Sequence, residues 1–417
     1  MLAIGGLGGL LLVGAAAAAT PALADGSAPQ YPANPGNARF STIPDADAAD
    51  WTPVGPYDSD RNYLDTNWSI TTTGAFINDS ASGNRFQTTV APSFTVNRPG
   101  DRLNLGLTGG AELSKTDGGD VAIQRLNLRG TSTFDVDEGG TLTSNAAFSR
   151  SQEDRNSPDV AADIATTPIE YSGTADSTYD QKFGRLEFSL KGNLERDVYG
   201  PTTLTNGTSI DNSGDNNTQL GGTLRLGYAL TPVFQVFGQA SSIRTIYDSA
   251  SLNGTQYALM AGVAAKWGDE LSASVSAGVG VEHFDNAALA DVRATLYDAN
   301  LTYKPTEALT LTGDLTSTIA PPGPNGTGTA AVDYQATAGA TYLINEWLDW
   351  RASINWQNIA YAGTSSTDNS YGFGIGADYL LNRQTKLSAD YSFARATVTP
   401  NPQDDTQTVS LGLTFQK

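Results

Sequence analysis

From about Trp68 onward the chain repeats one pattern, and nothing else limits its fold so strongly. Segments of roughly ten residues alternate apolar with polar side chains, and a turn follows each. Period two places successive side chains on opposite faces of a strand, so each segment is oily on one face and hydrophilic on the other. Leu186, Phe188, Leu190 and Leu194 alternate with Glu187, Ser189, Lys191, Asn193 and Glu195. Leu220, Leu224, Leu226, Tyr228 and Leu230 oppose Thr223, Arg225 and Gly227, and Leu309, Leu311 and Leu315 oppose Thr310, Thr312, Asp314 and Thr316. The last segment sets Val409, Leu411, Leu413 and Phe415 against Thr408, Ser410, Gly412 and Thr414. Alternation is weak from Trp68 to Ile77 and from Glu170 to Phe183.

A water-soluble sandwich would alternate in the same way, so the connections have to discriminate. Tight turns fall around Arg98-Pro99-Gly100, Asp137 to Gly140, Gly184, Thr231-Pro232, Gly268-Asp269, Pro305-Thr306, Asn345-Glu346 and Asn382-Arg383. Longer polar connections lie between them, around 79–84, 116–120, 153–168, 200–217, 248–254, 285–292, 320–329, 363–368 and 396–405. Strict alternation of short and long connections is the mark of a transmembrane barrel with short periplasmic turns and longer extracellular loops. After Ala24 no uncharged apolar stretch approaches the roughly 18 to 20 residues a membrane helix needs, so any crossing is made by strands. The fold class expected is therefore all-β, an antiparallel up-and-down transmembrane barrel of about 18 strands, with 16 as the alternative. A barrel of that size leaves room for water.

Composition narrows the chemistry. Lys and Arg number 24 against 44 Asp and Glu, a formal charge of −20, which argues against nucleic acid as a partner. With no Cys and one His, thiol chemistry and multi-histidine metal sites are excluded. His283 is left as the one histidine base, facing outward at a strand end with no motif supplying a Ser and an orienting group, so no enzyme and no cofactor are expected.

At the N-terminus, Leu2 to Ala24 is apolar and closes on Ala22-Leu23-Ala24, a small-x-small cleavage signature, so residues 1–24 read as a signal peptide despite the missing basic n-region. Residues 25–60 contain Pro29, Pro32, Pro35, Pro44, Pro53 and Pro56 and read as a Pro-rich, disordered periplasmic arm; the barrel is expected over 61–417. Asp45, Asp47 and Asp50 lack the glycine and distal Glu of a calcium loop and read as a solvated acidic patch.

Tyr228, Trp267, Tyr303, Tyr342, Trp347, Trp350, Tyr379 and Phe415 gather at the short-turn ends, where they would form an aromatic girdle. Parity assigns the lumen Arg125, Arg129, Lys191, Arg225, Lys266, Arg351 and Lys386, with Glu187, Glu195, Asp298, Asp314, Asp333, Asp378 and Asp390. In this set the signs cancel, which suggests a weakly selective pore or cross-strand ion pairs bracing the wall. The surplus acid lies in the long loops, at Asp79, Asp117, Asp120, Glu153, Asp154, Asp159, Asp163, Asp211, Asp215, Asp248, Asp285, Asp291, Asp368, Asp404 and Asp405. An acidic mouth with modest cation preference follows.

Several segments resemble a family, the outer-membrane β-barrel porins of proteobacteria often encoded beside capsule or exopolysaccharide genes. They are Phe148-Ser149-Arg150-Ser151-Gln152-Glu153-Asp154-Arg155, Leu226-Gly227-Tyr228-Ala229-Leu230-Thr231-Pro232, Tyr379-Leu380-Leu381-Asn382-Arg383 and the closing Val409 to Gln416. That closing segment also resembles the signal read by the barrel-assembly machinery, with Gln416 and Lys417 following Phe415. The resemblance implies an integral barrel of the Gram-negative outer membrane, in contact with lipid and lipopolysaccharide. Its implied role is either a porin-like passive channel for ions and small hydrophilic solutes or an accessory barrel working with polysaccharide export components. It supplies no catalytic residues.

Overall fold

The computed structural model describes residues 64–80, 83–152, 164–322, 328–398 and 403–417. The expected leader and Pro-rich arm lie outside the described residues, as do Glu153, Asp154, Asp159 and Asp163. In chain order the strands are β1 (Asp65–Asp79), β2 (Gly83–Arg98), β3 (Leu103–Thr116), β4 (Val121–Asp137), β5 (Gly140–Gln152), β6 (Ile164–Thr166), β7 (Ile169–Phe183), β8 (Leu186–Tyr199), β9 (Thr202–Leu204), β10 (Ser209–Ile210) and β11 (Asn217–Ala229). They continue as β12 (Phe234–Tyr247), β13 (Gly254–Trp267), β14 (Leu271–Phe284), β15 (Val292–Thr306), β16 (Leu309–Ala320), β17 (Ala331–Asn345), β18 (Leu348–Tyr361), β19 (Thr367–Asn382), β20 (Thr385–Val398) and β21 (Asp404–Gln416).

Eighteen of these form one antiparallel sheet in which each strand pairs with its chain neighbours, and β6, β9 and β10 make a separate three-stranded sheet. The large sheet closes on itself. β1 pairs with β21 from Ser69↔Gln416 to Asp79↔Thr406, so no edge is left open. Because the strand number is even, the barrel begins and ends at the same rim, the one carrying turns of two to four residues. Gly184 and Gly268 there adopt φ of +60° and +52°, a conformation that suits glycine and lets the chain reverse tightly. This rim is the turn end and the opposite one the loop end.

The eighteen barrel strands run from 12 residues in β16 to 17 in β4, longer than the alternating segments. Backbone pairing needs no apolar side chain, so it continues into polar sequence. For that reason the long loops expected at 79–84 and 116–120 are corrected to short connections: Asp79 pairs with Gly83, and only residues 117–120 separate β3 from β4.

Burial is inverted relative to a water-soluble sheet. Leu259 is 64% exposed while Lys386 is 2% exposed. Leu190, Leu194, Leu220, Leu226, Val279 and Leu411 likewise stand exposed on the outer surface, as a barrel solvated by hydrocarbon requires. The inner surface is not uniformly hydrophilic, which corrects a strictly polar interior. Phe237 and Ile243 lie on it, in register with Gly227 and Gly221. Beyond the Asp298↔Thr316 pair, β15 and β16 part towards the loop end, and Phe284, Val292, Leu296, Ile319 and Ala330 pack together there. Polar side chains take over part of the lost ladder: Ser317 Oγ accepts from the Tyr297 N–H and donates to Tyr297 O at 3.0 Å, and the Tyr334 hydroxyl donates to Thr295 O at 3.2 Å.

Candidate functional site

The register puts all fourteen sequence-assigned lumen residues on the inner surface, but their surroundings differ sharply around the wall. On β18 to β20 the charges touch. Arg351 Nη2 donates to Asp378 Oδ1 at 3.0 Å and to Asp390 Oδ1 at 2.8 Å, and Lys386 Nζ reaches Asp378 Oδ2 at 3.3 Å. Asp378 is 1% exposed, so this network is compensated and enclosed. Arg351 and Asp390 sit two strands apart on one rung, with Gly376 between them. A Cβ at 376 would strike Asp390 Oδ1, so the missing side chain is what allows the reach.

A second glycine works the same way on the far side. Gln235 Nε2 crosses Gly227 to donate to Glu187 Oε2 at 2.6 Å. Arg225, next to this bridge, stacks its guanidinium over the Phe237 ring with Cζ 3.6 Å from the centroid. Arg129 Nη2 donates to Asn145 Oδ1 at 3.4 Å, and Asn145 Nδ2 donates to Asp176 Oδ2 at 3.0 Å. Asp333 accepts from Gln357 Nε2 at 3.1 Å. Arg125 lies in register with Glu112 and Ser151, Lys191 with Thr178 and Thr223, and Glu195 with Thr174 and Gln219. Lys266 faces Ser272, Asp298 faces Ser276 and Thr316, and Asp314 faces Asn300 and Thr337.

The balance of signs drawn from those fourteen residues is corrected by β7. Asp176, Asp180 and Glu170 share the inner surface with Asn193, Ser189 and Tyr199 of β8, and Asp197 lies opposite Ser172. None of these four acids stands in the sequence-based lumen set. Their outward neighbours on β7 include Gly173, Ala175 and Ser177, too small to mark an oily face, so period two was hard to see.

At the loop end most acids expected to charge the mouth are engaged. Arg196 holds Asp248 with two bonds of 2.9 and 2.8 Å and also donates to Thr218 Oγ1 at 3.1 Å. Arg244 repeats the arrangement, donating to Asp285 Oδ1 at 2.7 Å and, more closely, to its Oδ2, with Thr255 Oγ1 at 3.1 Å. These bonds hold both carboxyls below the usual aspartate range. Arg395 grips Asp405 at 2.6 and 2.7 Å, and Asp404 bonds Ser80. Asp79 belongs to β1, where it lies 3.7 Å from Arg85 and accepts from Thr406 at 3.1 Å. Asp211 accepts from the Ser213 N–H, which lowers its pKa.

The 200–217 connection is ordered. β9 pairs with β10 and with β6 of the preceding loop, and Asn212 Nδ2 ties the link to Gly200 O at 2.8 Å and Thr202 Oγ1 at 2.9 Å. His283 is exposed on the outer surface with Nδ1 2.8 Å from Asp291 Oδ1. Among the described residues no hydroxyl bonds its ring. The eight aromatics expected to form a girdle are all exposed, from Tyr303 at 39% to Trp267 at 65%, and lie at the turn end.

Residues 67–417 match the family model described as "Putative beta-barrel porin 2". Among solved structures, the outer membrane protein OpdK from Pseudomonas aeruginosa aligns at 11% identity over 85% of this chain and 99% of its own, with a TM-score of 0.42. A ferric enterobactin receptor, PfeA, from the same organism aligns at 10% identity over 86% and 81%, with a TM-score of 0.44. No curated protein matches the chain.

Proposed function

The chain belongs to the family described as Putative beta-barrel porin 2, and from that premise we propose that it is a passive channel for ions and small hydrophilic solutes across the outer membrane. The observation that carries the proposal is the division of surfaces. An 18-strand wall turns its large apolar side chains outward and most of its charge inward, and that wall closes without an edge. Barrels of this strand number are wide enough for a water-filled passage.

In this reading residues 1–24 are the export signal, the turn end faces the periplasm, and the 25–60 arm hangs on that side. Outer-membrane lipid and lipopolysaccharide contact the outward face, and the barrel-assembly machinery inserts the chain. The channel carries out no covalent chemistry. The exposed His283–Asp291 pair fits a surface contact, and Thr255, which faces His283 across the strand pair, is held by Arg244.

Purified protein in a planar bilayer tests the proposal. Discrete, stable current steps are expected. Silence from a folded barrel, verified by its heat-modifiable migration in a gel, would contradict channel activity and leave the accessory role in polysaccharide export.

A further inference from the structure

Besides Glu170, five carboxylates line two adjacent strands of the inner wall: Asp176 and Asp180 on β7, and Glu187, Glu195 and Asp197 on β8. Among the described residues none of the five forms an ion pair. The hydrogen-bond partners of Asp176 and Glu187 are neutral amides, Asn145 and Gln235. Two lysines, Lys182 and Lys191, share the same two strands and face, so the stripe keeps a negative surplus. Arg225 on the next strand, seated on the Phe237 ring, adds a third positive charge within electrostatic reach of Glu187 and Asp180, and the acids still outnumber the cations.

The stripe's loop-end limit carries a second, independent sign. Asn217 is 1% exposed and occupies the same rung as Asp197. Its Nδ2 donates to Asp215 O at 3.3 Å, while its Oδ1 has no donor. A buried acceptor left unsatisfied costs free energy, and this one adjoins carboxylates that are acceptors as well. Asp197 on that rung has the Ser172 hydroxyl as its hydrogen-bond partner, which leaves Asn217 Oδ1 as the acceptor open to a donor. Rungs two residues apart are spaced roughly 7 Å along a strand, so the five acids form a track and not a single cage. Among the described residues no three acidic or histidine side chains converge closely enough to hold a metal ion.

Resting on the channel reading above, the geometry points to this β7–β8 stripe as the selectivity element of the pore, a track for small organic cations bearing several ammonium or guanidinium groups. Such solutes donate hydrogen bonds from spaced positive centres, which suits spaced acceptors. The loop acids contribute less, because Asp248, Asp285 and Asp405 are already held by arginines.

Reversal potentials of the reconstituted channel in a KCl gradient, with spermine as the blocking probe, test the inference. The wild-type channel should prefer potassium to chloride and be blocked by spermine. Neutralising the stripe with Asp176→Asn, Asp180→Asn and Glu187→Gln together should lower the permeability ratio at least threefold and abolish the block. Replacing Asp211 and Asp120 by Asn should change the ratio less than twofold. Unchanged selectivity and block in the stripe variant, with current intact and heat-modifiable folding retained, would overturn the track and leave the channel standing. A silent wild-type barrel would instead sink the channel, and calorimetry with spermine on the detergent-solubilised protein then decides the track. Binding lost in Glu195→Gln/Asp197→Asn supports it, and equal binding in both overturns it.

Discussion

The two sides of the lumen use similar residues to opposite ends. On β18 to β20, Arg351, Lys386, Asp378 and Asp390 neutralise one another within 3.3 Å and are largely withdrawn from solvent. On β7 and β8, Asp176 and Glu187 bond to the neutral amides of Asn145 and Gln235. The lesson is that a charge count along a strand says little until partners are known. A matched cluster braces the wall and presents almost no field to a passing ion, whereas unmatched acids on the facing wall keep their field and shape what passes.

The largest way to break this contrast is Arg351→Met. It strands Asp390 and leaves Asp378 with Lys386 alone in an enclosed site, and removing one partner of a buried ion pair costs about 3–5 kcal/mol. Urea unfolding in detergent micelles should show that loss. Glu187→Gln on the other wall gives up no ion pair and should cost about 1 kcal/mol or less. Comparable losses in the two variants would erase the distinction.

Next in size is Leu411→Arg, on the outer surface of β21 with its side chain 61% exposed. A cation on the lipid face near mid-membrane should cost about 2–4 kcal/mol, falling towards the rims. A neutral effect in folding assays with lipid vesicles would mean the outer surface does not meet hydrocarbon.

The glycine bridges sharpen the comparison further. Gly376→Ala pushes Asp390 away from Arg351, and overpacking of this kind costs about 1–3 kcal/mol. Gly173→Ala is the control, since a Cβ there meets nothing within 4 Å, and its unfolding midpoint should be unchanged.

The smallest effect concerns the rim. The Asp248 and Asp285 carboxyls are lowered beneath the ordinary value of 3.8 by their arginines. A depressed folded pKa stabilises above the unfolded value and loses that contribution as pH falls through the folded one. Amide exchange in residues 248–253 should therefore be constant from neutral pH down to about the unperturbed aspartate value, once corrected for intrinsic rates, and faster below it. Loosening that begins near pH 6 would assign the titration to another group.

Much of the architecture could be read before any coordinates. Leu186 to Glu195 or Val409 to Phe415 alternate cleanly because each inward residue is polar and each outward one large, and the short turns at Gly184 and Gly268 mark one rim. The eighteen-strand count followed from those signals. What stayed hidden depends on neighbours from distant sequence. Nothing around Gly376 announces that Arg351 will reach Asp390 across it, and nothing near Asp248 reveals Arg196, which lies 52 residues away. The acids of β7 escaped for a different reason, since Gly173, Ala175 and Ser177 erase the oily half of the pattern.

Because the chain has no cysteine, single introduced thiols report on one position each. The most direct trial uses Ser189→Cys and Leu190→Cys, neighbours on β8, in protein inserted into lipid vesicles and exposed to a charged, membrane-impermeant thiol reagent. An inner hydrated wall and an outer lipid face require Ser189→Cys to react and Leu190→Cys to stay protected. Equal labelling of the two, or the reverse order, would contradict it.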